Sequence, residues 1–272
     1  MNGILWASFI LSAASYLGAC GLFLAQARRR PATHVRPVWA PRVLVLGAGL
    51  HLVYLIVFSV VDRQCPVYSM HSALGIISLV GVVTYAVVSR GRRLEAIGGF
   101  VAVLAALFLV AAHTIAERPT SANDRWLLAI HITSNFLGGG ILLIAGCASA
   151  FYIWSERRLR TRRALGQGPK LPPLESLDAV VHRLLWIGVP FLTVGILSGR
   201  IVLKHAEAVT AGDRIRAALS VGSWLLLLAV LLLRQFKDWR GRRAAYAALA
   251  GALGLLVVIA LYAGRAMLGM GG

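Results

Sequence analysis

Eight long apolar runs, separated by short polar or basic stretches, organise the chain: roughly 3–26, 43–61, 72–89, 96–114, 126–153, 184–203, 217–233 and 245–264. A helix that crosses the hydrocarbon of a bilayer needs about 20 mostly apolar residues, and each run approaches that length. Barrel strands are about half as long and alternate in polarity, whereas these runs are continuous. Lipid offers no partners to an open sheet edge, so the spans are expected to be helices. The predicted fold is all-α: a polytopic membrane protein, a bundle of eight transmembrane helices. Residues 1–272 form a single integral membrane domain, with no room left for a soluble one. The first run has no basic segment before it and its flanking arginines come after it, so it reads as a retained span rather than a signal peptide.

The polar residues inside these runs narrow the chemistry. All ten acids fall at the ends of runs or between them, which counts against a proton pump or a cation channel with an acidic filter. No Gly-rich loop carrying a Lys is present to cradle a nucleotide phosphate. Histidine is the ionisable type that enters the spans. His51 lies mid-way along the second run, where an imidazole needs a partner or a ligand. It is either hydrogen-bonded to a neighbouring helix or an axial metal ligand. His71, His113, His131 and His205 map to the ends of runs three to six, which the topology gathers on one face of the bundle. Neutral imidazole is a common axial ligand of haem iron. His34 and His182 fall at the opposite membrane surface and read as solvated.

The stretch DRWLLAIHITSNFLGGG, 124–140, concentrates these features. Asp124 suits a helix cap and Trp126 an interfacial aromatic belt. His131, Asn135 and Gly138 follow one helical face at i, i+4 and i+7, with Gly139 close enough to widen the bare strip. Such a strip suits close approach of another helix, or equally the edge of a porphyrin lying below its ligand. Spacing alone leaves both open.

Composition agrees with a membrane chain: 58% hydrophobic, 14% charged and a mean hydropathy of +0.76. The net charge of +18 would suggest nucleic acid, but its distribution points elsewhere, and no nucleic-acid partner is expected. Of the 28 Lys and Arg residues, 20 lie in the connections after runs one, three, five and seven. That asymmetry places those connections in the cytoplasm and both termini on the outer (periplasmic) side. Anionic lipids are then the natural counterpart of the basic clusters. The basic, Gly- and Pro-containing stretch 157–176 is either a topogenic linker or a cytoplasmic docking site. Cys20, Cys65 and Cys147 form no C-x-x-C, which argues against thiol relay chemistry and against c-type haem attachment to this chain.

Several segments, in order, resemble the cytochrome c assembly family of the CcsA type, and more closely its shorter eight-helix HemX-like or YpjD-like branch. They are His51 in run two, CPVYSMHSAL (65–74), RWLLAIHITSNFLGGG (125–140), LPPLESLDAVVHRLLWIGVPFLTVGILSGRI (171–201) and DWRGRRAAYAALAGALG (238–254). His71 stands about where the family usually has Glu. The resemblance implies a haem-binding or haem-delivering membrane protein of bacterial inner-membrane cytochrome c assembly. It would handle haem b through His131 and His51, with His71, His113 and His205 around an outer opening. Asn135 and Gly138 would then sit at the haem edge, and Arg200 would pair with a propionate or simply reach the interface. Other maturation proteins would be partners, one of them bringing apocytochrome c, and the chain would not be an enzyme in its own right. The Trp-rich segment of larger family members is missing between runs six and seven, as is the histidine after it; His205 is the candidate replacement. That departure keeps a second function in view, a regulatory or scaffold membrane protein without haem. A transporter for another solute is weaker, for want of a buried acid.

Overall fold

The computed structural model describes residues 2–28, 39–62, 70–90, 95–114, 125–160, 173–204 and 210–267. They form eight helices and, among the described residues, no strand: α1 (Asn2–Arg28), α2 (Trp39–Asp62), α3 (Met70–Val88), α4 (Glu95–Thr114), α5 (Arg125–Arg160), α6 (Leu174–Lys204), α7 (Ala211–Lys237) and α8 (Arg242–Met267). Seven are long and apolar enough to cross a membrane; the apolar part of α3, Leu74–Val88, is shorter. The helices follow the eight apolar runs but overshoot several of them, furthest at one end in α5 and α6. α5 continues to Arg160 and α6 begins at Leu174, ten residues before its apolar run. At 1.5 Å per residue, α5 is about 54 Å long and outreaches the ~30 Å hydrocarbon, so its basic last turn stands in the head-group region.

The helices divide into two sets of four. In the first, α1 packs on α2 and α4, and α3 on both α2 and α4; in the second, α5 packs on α6 and α8, and α7 on α8 and α6. The sets meet mainly where α3 lies against α5. α5 is the centre of the bundle: 78% of its apolar window is buried, against 28% for α1 and for α7, whose outer faces are left to lipid. Between helices in lipid the attraction comes from close packing, so small residues mark the seams. Gly47 of α2 shows this at the α1 contact: a Cβ there would come within 2.9 Å of the Tyr16 ring. Beside it, the Ser12 hydroxyl donates to the Gly47 carbonyl at 3.0 Å.

Polar clamps fix the second set. Arg234, near the end of α7, donates through Nη1 and Nη2 to the Asp178 carboxylate at 3.0 and 2.7 Å, and through Nη2 to the Asp178 carbonyl at 3.1 Å. Its Nε donates to His182 Nδ1 at 3.4 Å, and His182 meets the Trp186 ring edge-on. His182 is therefore half-buried and bonded rather than solvated, because α7 delivers a guanidinium to it. Midway, the Trp224 indole N–H donates to Thr193 Oγ1 at 2.8 Å, joining α7 to α6 one turn beyond Pro190.

Candidate functional site

The stretch singled out above forms one side of the α5/α6 seam. α6 answers its His131–Asn135–Gly138 strip with Gly188, Gly195 and Gly199, spaced seven and four residues apart and so on one helical face. The two strips run antiparallel. At Gly138 a Cβ would stand 2.7 Å from the Leu192 backbone nitrogen and 3.0 Å from the Gly188 carbonyl oxygen, so backbone faces backbone. At Gly195 it would strike the Asn135 amide at 2.6 Å, and at Gly199 the His131 ring, 2.4 Å from Cε1. Tight helix packing is therefore what the bare strip serves here. Gly139 does not widen it: a Cβ there meets nothing within 4 Å, whereas Gly140 faces α3 at Val80 and the Ile77 carbonyl.

The seam orients the imidazole. His131 Nδ1 lies 2.7 Å from the Gly195 carbonyl oxygen. A carbonyl only accepts, so Nδ1 carries the proton and donates it. The Asn135 amide, 3.2 Å from the same nitrogen, donates to the His131 carbonyl at 2.7 Å. In the neutral ring the lone pair is then left on Nε2. A backbone carbonyl holding one ring nitrogen is the arrangement by which proteins fix the tautomer of a ligating histidine. The half-buried His131 is thus held in one tautomer with its ring set against α6, Gly195 and Gly199 leaving it its place and a Cβ on Gly199 standing 3.4 Å from Nε2.

His51 has a different seat. It is fully buried between α1, α2 and α3, its Nδ1 3.1 Å from the Tyr16 hydroxyl and 3.5 Å from Ser78 Oγ, which donates to the Ala105 carbonyl at 3.2 Å. Its Nε2 faces the α3 backbone, where a Cβ on Gly75 would stand only 3.2 Å away. Both ring nitrogens are thus turned into helix packing, and the seat does not fit a macrocycle. The void nearby, between α3, α4 and α5 and lined by Ser78, Gly81, Ala105 and Gly140, measures about 10 Å³, space for about one water.

His113, near the end of α4, stacks on Phe9 with ring centres 4.2 Å apart and meets Trp6 edge-on at 4.8 Å. Its Nδ1 lies 3.0 Å from the Tyr54 hydroxyl. His113 is thus built into the first set of helices and His131 into the second, so the end-of-run histidines do not share one seat. Arg200 is exposed on α6, next to Gly199. His71 falls in the first turn of α3; its side chain lies outside the described residues, as do His205, Asp124, Cys65, His34, the Trp126 side chain and residues 161–172. The sequence reading missed the α6 glycines as the partner of the His131 strip, although their 7-and-4 spacing was a signal. It also missed Tyr16, Tyr54 and Ser78, for which no local signal exists.

The fold and seam define a multi-pass helical membrane protein that carries an oriented imidazole on a glycine-lined helix interface. Residues 41–270 match the family model for cytochrome C assembly protein, and the chain belongs to that family. The cytochrome c biogenesis protein CcsA of Heterosigma akashiwo is 23% identical over 247 residues, covering 76% of this chain and 75% of that protein. That of Chlamydomonas reinhardtii is 29% identical over 150 residues, 55% of this chain and 40% of that protein. Inner membrane protein YpjD of Escherichia coli (strain K12) is 25% identical over 138 residues, and the chain spans about half of its length (51% of each). No solved structure matches.

Proposed function

We propose that this protein handles haem as cargo in cytochrome c biogenesis, holding or delivering it through His131 in a bacterial inner membrane. The observation that carries this reading is the His131 Nδ1–H donated to the Gly195 carbonyl at 2.7 Å, which leaves Nε2 as the donor nitrogen. Haem b, the non-covalent form, suits a chain without a thiol pair. Arg200, exposed one residue from the glycine against which His131 packs, is positioned to meet a propionate as a charge-assisted partner. His71, His113 and His205 remain the candidates for a second ligand. His51 serves as a positioning residue that ties α2 to Tyr16 and Ser78.

The chain contributes a site and a path rather than a bond-making step, so a maturation partner supplies apocytochrome c and its thiols. We read eight crossings with both termini outside from the alternation of basic connections; in support, α3, at 19 residues, is about 28 Å long, close to the hydrocarbon thickness. Anionic lipids cover the basic cytoplasmic ends. A reduced-minus-oxidised absorption spectrum of the detergent-purified protein, beside His131→Ala, tests the reading. A Soret and α-band signal lost in His131→Ala is the expected result. No signal after adding hemin overturns it in favour of a haem-free regulatory scaffold, the role that the packed seats of His51 and His113 would suit.

A further inference from the structure

The Gly195 carbonyl that holds His131 also serves a hydroxyl of its own helix. Ser198 Oγ donates to the Gly195 carbonyl at 3.0 Å and to the Val194 carbonyl at 2.7 Å. Other hydroxyls in the spans bond back to one carbonyl, as Ser149 does to Ala145 and Thr193 to Val189. A hydroxyl has a single proton to give, so at Ser198 it is divided between two oxygens. Ser198 is only 6% exposed, which keeps that proton within the seam.

The Gly195 oxygen lies inside α6, where the helical pattern also brings it the Gly199 N–H. With His131 Nδ1 at 2.7 Å, three donors meet two lone pairs. Donors on one acceptor compete, because each draws on electron density that the others would use. The share of the Ser198 proton given to Gly195 therefore loosens the hold of this carbonyl on the His131 Nδ1–H. A ring whose Nδ1–H is held less strongly carries less negative charge, and its Nε2 is the weaker donor. Outer hydrogen bonds tune a ligated metal and its potential by this lever. The bare backbone at Gly195 and Gly199 is what lets the ring reach the shared oxygen.

We propose that Ser198 is a positioning residue that weakens the Nδ1–H bond of His131 and with it the donor strength of Nε2, so that haem iron at that nitrogen is favoured in the ferrous over the ferric state. The iron part of this inference rests on the haem reading above. The test uses full-length protein carrying isotope-labelled histidine, read by proton–nitrogen NMR, with the His131 signals assigned by their loss in His131→Ala. Ser198→Ala keeps the Cβ and removes the hydroxyl, so the Nδ1–H proton should move downfield as its bond strengthens. Ser198→Thr, which keeps a hydroxyl, should bring it back. In the hemin-loaded protein the midpoint potential should fall in Ser198→Ala and recover in Ser198→Thr, while Ser149→Ala should move neither signal. An unmoved Nδ1–H proton in Ser198→Ala overturns the proposal whatever the haem result. So does a potential that stays or rises. A downfield shift in a protein that takes up no haem overturns the haem reading instead, and leaves Ser198 setting the strength of the His131 bond.

Discussion

Gly138 and Gly139 are neighbours in sequence with opposite surroundings, and exchanging each for alanine isolates the energetics of the α5/α6 seam. Both substitutions gain the same helix propensity, about 1 kcal/mol relative to glycine. A Cβ at Gly139 meets nothing within 4 Å, so that gain stands. At Gly138 the added carbon would lie 2.7 Å from the Leu192 nitrogen and 3.0 Å from the Gly188 oxygen. Nonbonded contacts are most favourable near ~3.5 Å, so the α6 backbone must retreat by about 0.8 Å. No side-chain rotation relieves it, because the obstacles are main-chain atoms. Overpacking of this kind costs about 1–3 kcal/mol. Since propensity cancels between the two variants, Gly139→Ala should exceed Gly138→Ala in stability by that strain alone, a Tm gap of roughly 3–10 °C. Thermal unfolding of the two purified variants in one detergent, followed by circular dichroism, measures it. Equal Tm values would refute the backbone-to-backbone seam.

Three further outcomes follow from the clamps and caps. Arg234→Gln leaves the Asp178 carboxylate without its bidentate partner and should destabilise by about 3 kcal/mol, with a larger Tm loss than Arg240→Gln, whose partner Asp238 is exposed. Tyr16→Phe removes only the hydroxyl beside His51 Nδ1 and should cost about 1–3 kcal/mol, while any haem spectrum should persist under the proposed role of His51 in positioning α2. Thr210→Ala breaks the α7 capping box and should cost about 1 kcal/mol, which Thr210→Ser should largely restore in a melting experiment.

Helix number and order were legible because each apolar run has a length that only a helix can use in lipid. The ends of α5 and α6 were not. Segments such as WSERRLR (154–160) and LESLDAVVHR (174–183) keep helical form outside the hydrocarbon through salt bridges such as Arg160–Glu156 and the Arg234–Asp178 clamp, which an apolar count does not register. At the site, the face holding His131, Asn135 and Gly138 could be read from the 3.6-residue period. Which helix covers it could not, because α5 touches α3, α4, α6 and α8 and periodicity names a face without naming its neighbour. The glycine spacing on α6 was the missing half of that information. His51 was harder still: its partners Tyr16 and Ser78 lie 35 and 27 residues away, and polar side chains pair across helices only once the bundle exists.

α7 is held to its neighbours at three heights. Arg234 binds Asp178 of α6 at one end, Trp224 binds Thr193 of α6 in the middle, and Asp213 binds Arg265 of α8 at the other end. A piston-like slide of α7 along the membrane normal by even one residue, about 1.5 Å, would stretch all three at once. α7 therefore behaves as a strut, with its length locked to that of α6 and α8. If cargo passage requires a helix to shift, the displacement has to be taken up elsewhere. The α5/α6 seam is no looser, since Asn135 and His131 fill the notches at Gly195 and Gly199, so a shift of α5 against α6 would swing His131 only by breaking its bond to the Gly195 carbonyl.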